Sequence, residues 1–475
     1  MSLRLTALAA SLIVALPAAA ESTSTLQDQQ SVAVTIYNEN LALVKDQRKI
    51  GIAGGHGTLA FRDVSAQIRP ETALLRSLSS PGKLAVIEQN FDFDLLTPQK
   101  LLDKYVGKSV TVVRTNPTTG ADSSESAQVL ATNNGVVMKI GDRIETGMPG
   151  RITYPDVPAN LRDRPTLVMA LNNSGAAQQE VELSYLTGGL KWKADYVAEL
   201  NAGDDKLDLS AWVTLTNTSG AVYQNARLQL VAGDVNRVQD EIAPPHFMAK
   251  MAMAAPSPAP RMAEESLLEY HLYTLDRPTT IAENQTKQVA LLSASGIPAR
   301  KELLLRGLDY YYQSSYGDLG QKLKAGVFIE FDNKESAQLG MPLPKGVIRV
   351  YKKDAAGSAQ FVGEDSIDHT PKNEKVRLKL GESFDVTADK KQTDFKKLPD
   401  PAKGNALFES AYEIVLKNAR KEAVTVTVQE PIPADWKMLK ETQPHSKAAS
   451  NTAVWKVNVP AEGQTTLAYS VQVKY

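Results

Sequence analysis

The sequence predicts a mainly β protein: several antiparallel β-sandwich units of immunoglobulin-like type plus a small SH3-like barrel. Three observations predict it. Apolar and polar residues alternate with period two over most of the chain, which sends every second side chain to one face of a strand. Turn signals recur about every ten residues, the spacing of sandwich strands. Helical patterns are almost absent. The clearest alternation is Val181–Val197, VELSYLTGGLKWKADYV. Val181, Leu183 and Tyr185 share one face before Gly188-Gly189; Leu190, Trp192, Ala194 and Tyr196 share one after it. Two glycines free to take positive φ predict a chain reversal there, hence a hairpin carrying Trp192 as a core plug.

A chain of 475 residues exceeds one ordinary domain. Lys plus Arg number 53 against 54 Asp plus Glu. That balance gives no general attraction to nucleic acid. Residues 1–20 read as a signal peptide: Arg4 is the positive start, Leu5–Leu16 the apolar stretch, and Pro17-Ala18-Ala19-Ala20 a small-residue cleavage site. The apolar stretch is too short for a membrane span, and no transmembrane helix is expected in the mature chain. The expected location is the periplasm or bacterial cell surface after cleavage near Ala20. There is no Cys. Disulfides, Cys nucleophiles and Cys-ligated metals are therefore excluded, and apolar cores must supply stability.

In chain order, residues 21–31 form a flexible lead, and 32–96 an N-terminal β region opening with the strand at Val32–Tyr37. Gly54-Gly55-His56-Gly57 lacks the strand-to-helix setting of a phosphate loop. Thr97–Tyr105, TPQKLLDKY, predicts a helix: Thr97 caps it, Pro98 suits its first turn, and Leu101, Leu102 and Tyr105 share a face. Short strands and tight turns over 97–150 predict the small barrel. Residues 151–240 predict a sandwich containing the Trp192 hairpin. Residues 241–265 are a Met/Pro/Ala-rich linker with Met248, Met251, Met253 and Met262. Residues 266–356 are a central β region able to complete the 151–240 sandwich. Residues 357–475 predict a C-terminal immunoglobulin-like sandwich with Trp436 and Trp455 as core aromatics.

Several blocks resemble a known family. They are YLTGGLKWKADYVAEL (Tyr185–Leu200), WVTLTNTSG (Trp212–Gly220), LQLVAGDVNRV (Leu228–Val238), Ile348–Asp354, GEDSIDHTP (Gly363–Pro371) and GESFDVTADKKQTDF (Gly381–Phe395). The chain is similar to bacterial exported proteins carrying the "domain of unknown function four-one-three-nine", also described as mucoidy-inhibitor-A-like. The resemblance implies a link to surface polysaccharide through that name alone, and brings no catalytic residues with it.

No stretch identifies a reaction. Neither HExxH nor GxSxG is present among the five His and the serines. Asp365, Asp368 and His369 place carboxylates beside an imidazole, suited to a divalent metal or acid–base work; the structural alternative is a turn whose Asp side chains bond the backbone. His246, Met248, Met251 and Met253 offer soft ligands suited to Cu(I), against low-complexity drift. Tyr310, Tyr311, Tyr312 and Tyr316 offer flat faces for a glycan or protein partner. Strand alternation would put Tyr310 and Tyr312 together and turn Tyr311 away. The expected function is a non-catalytic envelope scaffold holding a protein or polysaccharide partner, with no cofactor. The alternatives are a hydrolase of an envelope polymer, using the carboxylates near Asp365–His369, and copper binding by the Met-rich linker.

Overall fold

The computed structural model describes residues 21–158, 161–233, 235–236, 262–399 and 406–475. The expected leader and the Met-rich run, including His246, Met248, Met251 and Met253, lie outside the described residues. Strands account for most of what is described. The chain divides into two units that alternate along the sequence. One holds residues 1–191, 215–230 and 277–287; the other holds 192–214, 231–276 and 288–475.

The first unit contains three sheets. In one, Ser22–Ser24, Gly55–Arg62, Thr166–Asn173 and Leu84–Asp92 are neighbours in that order. In another, Leu41–Gly51 lies between Gln29–Tyr37 and Gln178–Thr187, and Leu74–Ser77 continues the order. Strands expected in separate segments, 32–96 and 151–240, thus pair with one another. Alternation does the sorting: Val32, Val34 and Ile36 are buried, as are Val181, Leu183 and Tyr185.

The third sheet corrects the expected barrel. Its order is Arg143–Thr146, Val137–Ile140, Asp122–Ala131, Ser109–Thr115, Arg151–Thr153, and the two end strands do not pair. A helix covers the core where barrel closure would have done so. Pro98–Lys104 is capped by Thr97, whose Oγ1 accepts from the Lys100 N–H at 3.2 Å. Its Leu102, with Tyr105 just beyond, packs with Val110, Val112, Val129 and Met138. The Tyr105 hydroxyl donates to the Asp156 carbonyl at 2.7 Å, so its polar tip is satisfied.

The expected Trp192 hairpin is also corrected. Gln178–Thr187 pairs with Leu41–Gly51 and Leu74–Ser77, whereas Leu190–Leu200 belongs to a different sheet. Gly188-Gly189 marks a change of sheet and not a reversal onto the preceding strand. The glycine requirement comes from close approach. Gly189 has φ +79, and a Cβ there would lie 2.5 Å from the Ser219 Cα. Its carbonyl accepts from the Thr218 N–H at 2.7 Å.

The second unit is built on one long hydrogen-bonded path. Its order is Ala359–Ile367, Gly346–Lys353, Leu190–Leu200, Lys206–Asn217, Gln285–Arg306, Asp318–Asp332, Lys375–Leu398, Leu407–Asn418, Gly463–Lys474 and Asp435–Glu441. Strands from both sides of residues 241–265 therefore share a sheet. Val424–Pro431 runs parallel to residues 303–306 and antiparallel to Thr452–Val459. Trp192 is buried. The expected core aromatics Trp436 and Trp455 are buried too, in a cluster with Ile414, Val426, Val428, Leu467 and Tyr469. Among the described residues no helix is long and apolar enough to cross a membrane.

Candidate functional site

The Asp365–His369 stretch sits at the end of the strand Ala359–Ile367. Asp365 Oδ1 accepts from the Ser366 N–H at 2.9 Å, and Oδ2 from the Lys379 N–H at 2.8 Å. His369 Nδ1 accepts from the Lys345 N–H at 3.2 Å. The Asp368 carbonyl takes the Thr370 hydroxyl at 2.8 Å. Backbone amides thus come to Asp365 and His369. Among the described residues no three His, Asp or Glu converge as a cation would require.

The tyrosine cluster is divided by its backbone. Asp309–Tyr312 is a 3-10 turn and not a strand. With three residues per turn, Tyr311 and Tyr312 both enter the core, at 5% and 0% exposure, while Tyr310 stays 48% exposed. Strand alternation had grouped Tyr310 with Tyr312. The Tyr310 ring meets Tyr311 edge-on at 4.9 Å and Tyr316 at 5.7 Å. Tyr316 is pinned through its N–H, which donates to Gln392 Oε1 at 2.6 Å. Gln392 Nε2 in turn donates to the carbonyls of Tyr311 and Ser314, at 3.3 and 3.1 Å. The outward face therefore carries the exposed Tyr310 and Leu308, with the half-buried Tyr316 against the Tyr310 ring.

Beneath these rings lies a buried ion pair. Lys390 Nζ is 2.7 Å from Glu430 Oε1 and 2.6 Å from Oε2, and the side chains are 2% and 1% exposed. Tyr312 donates to Glu430 Oε2 at 3.1 Å, and its hydroxyl is 3.0 Å from that of Tyr469. The Nζ also sits 4.3 Å from the centre of the Tyr311 ring, a cation–π contact that links the pair to the surface cluster. Burial pushes the Lys390 amine below its usual range, against the opposing pull of Glu430. Burial raises Tyr412 to about 12 and Tyr311 to about 12. It also lifts Tyr312 and Tyr469 well above 10.0, with the Glu430 charge adding to the effect. Gly307 makes the space for the carboxylate: a Cβ there would lie 2.1 Å from Glu430 Oε2.

Sequence reasoning missed Lys390 and Glu430, although a signal was present. Lys390 is in phase with the buried Val386 and Ala388, and Glu430 with the buried Val426 and Val428. A charge on the apolar phase of two strands is the mark of a buried pair.

The first unit has its own buried cation. Arg48, 0% exposed, binds Asp46 Oδ2 at 2.8 Å and the Arg62 carbonyl at 2.9 Å, and lies 3.8 Å over the Phe61 ring. A shallow cavity of about 430 Å³ in this unit is lined by Thr25, Gln27, Arg62, Asp63, Arg164 and Gln224. Its charges are mutually paired, Arg62 with Asp163 and Arg164 with Asp63.

No curated protein matches the chain. A family profile does, over residues 181–475, which takes in the tyrosine cluster, the Lys390–Glu430 pair and the Asp365–His369 stretch. That is more than half of the sequence, and the chain belongs to the family described as a domain of unknown function, DUF4139.

Proposed function

We propose that this protein is a non-catalytic scaffold of the bacterial envelope that holds a protein or glycan partner against the aromatic surface of Tyr310 and Tyr316. The carrying observation is the contrast between that surface and its base. Tyr310 is offered outward on a turn whose other two tyrosines are locked in the core, and the half-buried Tyr316 supports its ring edge-on. An aromatic contact made from a rigid base loses little conformational entropy on binding. Export is read from residues 1–20, and the absence of Cys suits a fold stabilised by large apolar cores. Non-catalysis is supported at Asp365, where backbone amides occupy both carboxylate oxygens.

The test places a photo-crosslinking residue at position 308, beside the ring of Tyr310, in cells and, separately, screens the purified protein against envelope polysaccharides. The expected result is a defined adduct or a binding glycan, lost more than about tenfold in Tyr310→Ala/Tyr316→Ala while the melting temperature is kept. Equal binding by the double variant, or neither adduct nor glycan, overturns the proposal.

A further inference from the structure

We propose that Lys390 and Glu430 condense to an intramolecular amide, a covalent clamp inside the C-terminal sandwich. This goes beyond the scaffold reading and does not depend on it.

The geometry has four parts. First, Nζ lies within hydrogen-bond distance of both carboxyl oxygens, so the carbonyl carbon between them is in contact with the amine. The terminal torsion of a Glu side chain is soft, and a turn about it presents the carboxyl face for attack. Second, the two residues stand on Lys375–Leu398 and Val424–Pro431, strands that are not hydrogen-bonded neighbours. A bond between them ties together what backbone hydrogen bonds leave separate. Third, the surroundings exclude water. Tyr311, Tyr312, Tyr412 and Tyr469 belong to the same apolar cluster, and desolvation favours the neutral amine needed as nucleophile. Fourth, the product would be satisfied. Its carbonyl would accept from Tyr312, which already donates to Oε2, and its N–H would face the Tyr311 ring.

The step balances without any other reactant. One Nζ proton passes to Oε1, leaving a neutral amine and a neutral acid. The nitrogen lone pair forms the Nζ–Cδ bond, and the carbonyl pair moves to Oε2, where the Tyr312 hydroxyl stabilises it. A second Nζ proton passes to Oε1, the Cδ–Oε1 bond breaks, and water departs. Nothing is oxidised or reduced. Two buried charges become one neutral amide, which removes the desolvation cost of the ion pair. The chain has no Cys, so a disulfide cannot supply such a cross-link.

The test is mass spectrometry of the purified full-length protein after proteolysis. The expected result is a branched peptide joining the Lys390 and Glu430 segments, lighter by one water than the two linear peptides together. It should be absent from Glu430→Ala and from Lys390→Met. Only linear peptides from the wild-type protein, after prolonged warm incubation in the folded state, overturn the proposal. Because that readout is on the wild-type chain, failure of a variant to fold leaves it decisive.

Discussion

Among the described residues each of the two units buries one cation, and they do it differently. Arg48 finds its carboxylate two residues away on the same strand, at Asp46, where period two puts both side chains on one face. Lys390 finds its carboxylate forty residues on, at Glu430, on another strand. An arginine keeps its charge at any ordinary pH, so its site needs permanent acceptors, and Arg48 has the Asp46 carboxylate, the Arg62 carbonyl and the Phe61 face. A lysine can give up its proton when desolvated, and the site of Lys390 offers it one carboxylate, Glu430, with the Tyr311 face. The local pair can form with its strand. The remote pair forms only when the C-terminal core has closed.

Removing the carboxylate at each site tests this difference. Glu430→Ala should have the largest effect, costing about 3–5 kcal/mol, because it strands a buried amine with no other anionic partner. Urea unfolding of the full chain measures it; a loss no greater than that of a surface Glu would break the comparison. Asp46→Ala should cost less, roughly 2–3 kcal/mol, because the guanidinium keeps the Arg62 carbonyl and the Phe61 ring. The reverse order would show that locality is not what distinguishes the sites.

Gly307→Ala probes the remote site alone. The added methyl would press on the Glu430 carboxylate, so we expect a loss of about 1–3 kcal/mol. Ala at Gly54, where a Cβ meets nothing within 4 Å, should cost far less.

A pH comparison gives the finest distinction. Burial raises Tyr223 of the first unit to about 12 and Tyr412 of the second to about 12. A tyrosine whose folded pKa lies above its unfolded value of 10.0 adds stability below pH 10, and that stability is lost as pH rises toward 12. The loss is about 1.4 kcal/mol per pH unit per group. Tyr223→Phe and Tyr412→Phe should therefore each flatten the alkaline limb of the stability curve relative to wild type. An unchanged limb in either variant would mean that its hydroxyl is not shielded as the structure indicates.

Much of the fold was legible because strand alternation is a local signal. The buried phase of Val181, Leu183 and Tyr185, the capped helix after Thr97, and Trp436 and Trp455 as core residues all follow from short-range pattern and size. What failed depended on partners far away in sequence. Gly188-Gly189 looked like a hairpin turn because glycine permits reversal, yet its role is set by the Ser219 backbone. The barrel failed for a similar reason: Leu102 and Tyr105 supply a lid that removes the need for closure. In the tyrosine run, a tight turn replaced the assumed strand and changed which rings face outward. Lys390 and Glu430 were hidden in a different way. Charged residues are read as solvent-facing, and only the phase shared with their apolar neighbours marks them as internal.

The way the two units alternate along the chain has a consequence for synthesis. Thr279–Ile281 pairs with residues 223–226 of the first unit, so that unit lacks a strand until well over half of the polypeptide has been made. A nascent chain stopped at residue 191 exposes an unfinished sheet edge, and such edges invite association with other chains. A fragment cut where the family match starts, at residue 181, errs the other way. It carries most of the strand Gln178–Thr187 away from its partners Leu41–Gly51 and Leu74–Ser77. The stretch that defines the family is therefore shorter than the stretch that must fold together.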